Sequence, residues 1–165
     1  MKASLSTIFC RIPYLGNALA FLLARRVAIR GWSMYPTLAP GERVLFNRWA
    51  YCSNPPQAGD VVLATSPSRQ NELIVKRVAA LPGDCVAIDE AGHLVKSQSQ
   101  SNVSRGAAAL ILGEDDYFLL GDSPELSTDS RQFGPVNRGN ILAKAWLVYW
   151  PPRRSPREIG RGTAP

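Results

Sequence analysis

The chain of 165 residues contains one histidine, His93. It sits in Gly92-His93-Leu94, a context of turn and strand surface, with nothing tying it to any serine in the chain. A Ser/His/Asp triad is therefore disfavoured, and any nucleophilic serine needs another base. Cysteine is equally sparse: Cys10, Cys52 and Cys85 are odd in number, far apart and form no CxxC pair. That spacing argues against a structural zinc site and a disulfide framework, and no metal or organic cofactor is expected. A long apolar run is missing too. Between Leu5 and Ala24 the sequence is mostly apolar, but Arg11, Pro13, Gly16 and Asn17 interrupt it, and its cleanest stretch is Ala18 to Ala24. A membrane span needs about 20 apolar residues. The segment is marginal as a span, and its near-helical recurrence of Leu5, Ile8, Ile12, Leu15, Leu19 and Leu22 also suits a helix lying on a membrane or a partner. If it did span, Arg25, Arg26 and Arg30 behind it would favour keeping the downstream domain on the cytoplasmic side.

Acidic residues are absent from positions 1–30, which hold five of the basic ones, and residues 151–165 add four arginines against Glu158. The stretch 31–150 carries 12 acidic and 10 basic residues. Basicity confined to the ends fits an anionic membrane surface better than nucleic acid, which more often selects a basic stripe with interleaved aromatics inside the folded module.

The remaining sequence reads as one domain, mainly β, over residues 27–150. Short β-rich runs (Val27 to Arg30, Arg43 to Phe46, Asp60 to Ala64, Leu73 to Ala79, Cys85 to Asp89, Leu94 to Lys96, Tyr117 to Leu120 and Ile141 to Trp150) alternate with Gly, Pro, Asn and Asp clusters. Pro40-Gly41 and Pro82-Gly83-Asp84 are turn signals that supply fixed or positive φ. Residues 1–26 form an apolar and basic N-terminal segment, helical where ordered. After Trp150 a Pro/Arg-rich and then Gly-rich stretch, 151–165, is expected to be a disordered basic tail.

Three segments could carry chemistry. Ser33 follows Gly31 and precedes the Pro36- and Pro40-bounded turn, the kind of tight, exposed loop on which a hydroxyl and a backbone N–H can face one carbonyl. The same composition also serves ordinary turns. Lys76 lies inside Leu73-Ile-Val-Lys-Arg-Val78, where period-two alternation places it on a face with Ile74 and Val78 and puts Val75 and Arg77 opposite. A lysine base must be neutral near pH 7, so burial has to lower its pKa from about 10.4. The loop Gly121 to Gly134 follows an apolar strand and is dense in local hydrogen-bonding groups: Asp129 can pair with Arg131, and Ser127 offers a hydroxyl to a neutral amine.

In order and spacing these segments resemble the type I signal peptidase family, membrane-linked Ser/Lys endopeptidases. Gly31-Trp-Ser-Met-Tyr-Pro-Thr-Leu38 is similar to the nucleophile box, and Gly59-Asp-Val-Val62 to the strand box after it. Val75-Lys-Arg-Val78 with Leu81-Pro-Gly-Asp84 resembles the general-base box, and Gly121 to Gly134 the terminal box. The resemblance implies a signal-peptidase-like β-barrel domain in which Ser33 is the nucleophile and Lys76 the base. It further implies that Ser127 orients the lysine, that Asp129 and Arg131 brace the loop, and that the Ser33 N–H helps form an oxyanion hole. Gly31 stands where some members carry a second hydroxyl donor, and Ser123-Pro124 where an Asn-Arg pair is common. The compact length, the Gly-Asp-Ser-Pro…Ser-Thr-Asp-Ser-Arg loop and the Tyr149-Trp-Pro-Pro ending look most like the small members that mature nickel superoxide dismutase, with organelle inner-membrane peptidases next to them.

The implied partner is a precursor protein with an N-terminal extension, with a membrane surface as a second contact and a membrane-associated location, the alternative being a soluble cytoplasmic one. Competing readings are a general signal peptidase at a membrane and a self-cleaving repressor core of the SOS-response type, against which the missing DNA-binding module weighs. A catalytically inert β-barrel binding module is the reading from outside the enzymes.

Overall fold

The computed structural model describes residues 24–69, 72–89, 94–97, 109–151, 157–160 and 162. The span or surface helix expected before Ala24, His93 and the Ser/Gln-rich excursion from Ser97 onward lie wholly or largely outside them. No helix among the described residues is long and apolar enough to cross a membrane.

The chain is mainly β, as the turn spacing predicts. Its strands are β1 (Arg25–Ala28), β2 (Arg43–Asn47), β3 (Val61–Thr65), β4 (Leu73–Ala80), β5 (Cys85–Ile88), β6 (Leu94–Ser97), β7 (Ala109–Ile111), β8 (Asp116–Leu120), β9 (Val136–Asn137), β10 (Ile141–Trp150) and β11 (Arg157–Glu158). Among the described residues one short α-helix, α1 (Ser130–Phe133), follows β8. The main sheet runs in the order β1-β2-β10-β3-β4-β8-β9, with β11 added beside β10, and all of its pairs are antiparallel. Among the described residues this path runs from β1 to β9 without a closing strand pair. A second sheet, β6-β5-β7, stands apart.

Strand β10 organises the main sheet. One edge pairs with β2 from Lys144 to Trp150, while the other pairs with β3 from Ile141 to Lys144 and with β11 at Leu147 and Val148. Register shifts along it mark bulges, which let one long strand bend and serve three neighbours. Both faces of the sheet are covered. One apolar cluster gathers Ile29, Met34, Leu38, Phe46 and Leu63, and another gathers Val62, Val78, Leu119, Val136 and Ile141. Turns behave as composition dictates: Gly41 and Gly83 take φ of 87° and 83°, conformations that a Cβ would strain.

Two boundaries differ from those read in sequence. The first strand begins at Arg25, within the expected N-terminal segment, because Arg25 and Arg26 pair with Phe46 and Leu45 while their charges point to solvent. Nor is the whole stretch after Trp150 a loose tail. Arg157 and Glu158 pair with Val148 and Leu147, and Ile159 packs on the first apolar cluster, because β3 has diverged from that edge of β10 and left it available.

Candidate active site

Lys76 sits mid-strand in β4, opposite Val62, with Ile74 and Val78 on either side of it along its face, and is only 4% exposed. Burial among these apolar neighbours is the largest influence on its amine and lowers its pKa below the ordinary lysine value. Arg131 pushes the same way, while Asp129, Asp122 and Glu72 oppose it. The amine has a defined partner: Lys76 Nζ donates to Ser127 Oγ at 2.8 Å. The Ser127 hydroxyl also helps hold the nearby Asp129 carboxylate below its usual pKa. Ser127 Oγ presents a lone pair to one N–H of Lys76. The amine lone pair is thereby left for another group.

The brace under Ser127 is built by α1. Asp129 caps this helix, its own N–H donating to Gln132 Oε1 at 2.8 Å. Its carboxylate is fully buried and accepts from Arg131 Nε at 2.9 Å, Arg131 Nη2 at 2.8 Å and Gly121 N at 3.0 Å. Burial alone would raise its pKa, but the bonds from Arg131, Gly121 and Ser127 outweigh it and hold the carboxyl below its usual range. Arg131 reaches further, to Pro124 O at 3.0 Å, and Ser130 Oγ accepts from Leu119 N at 2.9 Å, fixing the helix to β8.

Ser33 is half-buried on the turn between β1 and β2. That turn is pinned from below by Met34 and Leu38, both sequestered in the core and joined by Leu38 N to Met34 O at 2.7 Å. Its outer side carries Trp32 and Tyr35, edge to face and half exposed. The Ser33 carbonyl accepts from Ser123 N at 3.1 Å, tying the turn to the loop that holds Ser127. Ser33 and Lys76 line one cavity of about 410 Å³, along with Gly31 and Thr128. A Cβ on Gly31 would meet nothing within 4 Å, so this residue leaves the space beside Ser33 empty and offers only backbone to a ligand there.

All six residues singled out in the sequence, Gly31, Ser33, Lys76, Ser127, Asp129 and Arg131, thus belong to one region. Sequence reasoning missed its second brace. Arg77, on the opposite face of β4 from Lys76, is buried and pairs with Asp122 at 2.8 and 2.6 Å while donating to Gly59 O at 2.8 Å and Thr37 Oγ1 at 3.0 Å. One guanidinium thereby connects the nucleophile turn, the strand box, the base strand and the terminal loop. Gly121 was missed as well. A Cβ there would overlap Ser127 Oγ and come within 2.5 Å of Ser33 O, so the loop and the turn touch through a side chain that is not there. The only signal in sequence is a glycine at the junction of an apolar strand and a polar loop. Among the described residues no group of three or more His, Cys, Asp or Glu side chains is arranged to hold a metal ion.

Known proteins resemble this chain in sequence. The profile of the family described as signal peptidase, peptidase S26, matches residues 2–104 and 91–150. Mitochondrial inner membrane protease subunit 2 of Mus musculus is 35% identical over 90% of this chain and 82% of its own length. Signal peptidase I of Leptolyngbya laminosa is 32% identical over 74% of this chain and 66% of its own. A signal peptidase I structure from Enterococcus faecalis aligns at 26% identity with a TM-score of 0.43, covering 55% of this chain and 97% of that one. The profile spans most of the chain and the mouse relative nearly all of it: the chain belongs to the signal peptidase family, peptidase S26, and is a serine peptidase.

Proposed function

We propose that the chain is a Ser/Lys endopeptidase that removes an N-terminal presequence from a precursor protein through an acyl-enzyme on Ser33. The observation that carries this reading is the buried Lys76 amine, hydrogen-bonded to Ser127 at 2.8 Å and sharing a cavity with Ser33. In the neutral amine the lone pair accepts the Ser33 proton as Oγ attacks the scissile carbonyl. The same amine returns that proton to the leaving peptide amine, and then activates the water that hydrolyses the ester. The Ser33 N–H stabilises the developing oxyanion. With glycine at position 31, no side-chain hydroxyl assists from that position.

The cleft suits an extended peptide. One wall is the edge of β1 and the chain leading from it to Gly31; the other is Leu73 to Lys76, the half of β4 that precedes its pairing with β8 at Arg77. Each wall has an edge with no strand beside it among the described residues, so a substrate backbone can bond as an added strand while alternate side chains enter the apolar floor at Ile29 and Val75. Ser33→Ala is expected to abolish processing of a genuine precursor while leaving the fold intact, as judged by gel shift of the precursor and by circular dichroism. Full cleavage by this variant would remove the reading.

The narrower assignment, a maturation protease dedicated to one precursor such as that of nickel superoxide dismutase, draws its support from the resemblance of the Gly121 to Gly134 loop and of the Tyr149-Trp-Pro-Pro motif. Membrane association through the basic, apolar N-terminus is part of the same reading. Fractionation into membrane and soluble pools, each assayed with that precursor and with secretory precursors, separates a dedicated enzyme from a general signal peptidase.

The rim of the cleft modulates the pH response that burial of Lys76 sets. Glu72 lines the cavity beside an exposed Arg69, 3.5 Å away, and its negative charge raises the pKa of Lys76. Catalysis needs the neutral amine, so kcat/KM rises with pH as Lys76 loses its proton. Glu72→Gln removes a charge that stabilises the ammonium. Its acid limb should therefore move to lower pH, by less at high salt, where the partly exposed charge is screened. A pH–rate profile unchanged or moved upward would contradict this.

A further inference from the structure

The segment after Trp150 returns to the body of the protein at three points, each against a part of the site. At the first, Arg157 Nη2 lies 3.0 and 3.2 Å from the carboxylate oxygens of Glu42. Glu42 is buried in the turn that closes the nucleophile loop: its Oε2 accepts from Ala39 N and its carbonyl from Ile29 N. At the second, Ile159 N donates to Trp146 O at 3.0 Å, and its side chain packs on the cluster containing Ile29 and Met34, the residues flanking the Gly31–Ser33 turn. At the third, Gly162 lies against the Arg77 guanidinium. A Cβ on Gly162 would stand 2.8 Å from Nη1, 3.1 Å from Cζ and 3.4 Å from Nη2. The Arg77 nitrogens already donate to Asp122, Gly59 and Thr37, and Gly162 adds cover over this guanidinium.

We propose that residues 157–160 together with Gly162 form a clasp that positions the nucleophile turn, acting through Arg77. The clasp keeps water from the Arg77–Asp122 pair. In a water-poor setting that pair holds Thr37 of the turn and Asp122 of the terminal loop in fixed relation, and the Ser123 N–H to Ser33 O bond lies one residue beyond Asp122. Hydration and screening would weaken the pair, letting Ser33 drift relative to Lys76. Displacement of about 1 Å at a reacting atom can cost as much as 10²-fold in rate. Arg157, Ile159 and Gly162 are thus positioning residues and none of them touches substrate. The inference rests on the Ser/Lys endopeptidase reading for its kinetic arm, whereas its exchange arm is independent of that reading.

Two variants of the full protein test it: a chain ended after Pro156, and full-length Gly162→Leu, which keeps every strand residue and only forces Gly162 away from Arg77. Both are compared with the wild type on a presequence peptide at low and high sodium chloride. The expected result is a fall in kcat of about tenfold or more with KM changed less than about twofold, and a further fall at high salt that the wild type does not show. Amide hydrogen exchange at Ser123 should accelerate about tenfold in both variants, while exchange at Val62 in the centre of the sheet stays as it was. A segment that serves only general stability predicts a lower Tm with unchanged kcat and no selective change at Ser123, and that outcome overturns the clasp. If the shortened chain does not fold, Gly162→Leu decides alone. If the wild type cleaves no peptide, the endopeptidase reading fails and the Ser123 exchange rate still decides for or against the clasp.

Discussion

Lys76→Arg should leave a folded protein whose kcat on a presequence peptide is lower by about 10³-fold or more. Arginine keeps the positive charge and exceeds the length of lysine, so a role limited to attracting or anchoring substrate would survive the change. A role as base would not, because a guanidinium does not release its proton at any working pH and has no lone pair to offer Ser33. Lys76→Met isolates the other half of the argument. The wild-type lysine has a lower pKa in the folded chain than in the unfolded one, and the first cause is burial. Below the folded pKa the native state carries a desolvated ammonium and its penalty is complete. As pH rises towards the unfolded value the unfolded chain holds more protons than the native one, so stability grows, and above that value the penalty is gone. The Tm of wild type relative to Lys76→Met should therefore rise with pH across the alkaline range. A pH-independent difference, or Lys76→Arg with kcat near wild type, would place the base elsewhere.

The argument for Lys76 also shows what a sequence can carry. Alternation along Leu73 to Val78 assigns Lys76 to one face and Arg77 to the other, and both assignments hold because a strand with two covered faces has no freedom of register without moving every side chain at once. Ser33, Ser127, Asp129 and Arg131 were legible for a different reason. They sit in short segments whose spacing is fixed by local turns and by one capped helix, so neighbours in sequence are neighbours in space. What stayed hidden was tertiary. Arg77 and Asp122 are 45 residues apart, and nothing in either segment names the other. The same holds for β11, whose Arg-Glu pair has no strand signature and exists because β10 has a vacant edge. Strand β9 is two residues long, too short for any periodicity. Strand β7 follows a run of alanines that carries little β preference.

Gly121 is where the local and the tertiary meet, and Gly121→Ala is expected to be nearly as damaging as loss of a catalytic group. The backbone there is not in the left-handed region, so alanine introduces no torsional strain and its effect comes from volume alone. The new methyl would overlap Ser127 Oγ and come within 2.5 Å of both Ser127 Cβ and the Ser33 carbonyl oxygen. Neither neighbour can yield freely. Ser127 is buried and bonded to Lys76, and the Ser33 carbonyl is bonded to Ser123 N. Overpacking of this kind costs about 1–3 kcal/mol, several degrees of Tm in a domain of this size. The kinetic cost is larger, because relief requires separating the nucleophile turn from the loop that orients the base: kcat should fall by about 10²-fold or more. Gly31→Ala supplies the control, since its methyl meets nothing within 4 Å and should leave Tm unchanged. A second substitution separates the two costs. In Gly121→Ala/Ser127→Ala the closest overlap is gone, so part of the lost Tm should return, while kcat stays low because the hydroxyl that orients Lys76 has been removed with it. Recovery of both quantities together would mean that Ser127 only occupies space, and its hydrogen bond to Lys76 would then play no part in setting the base.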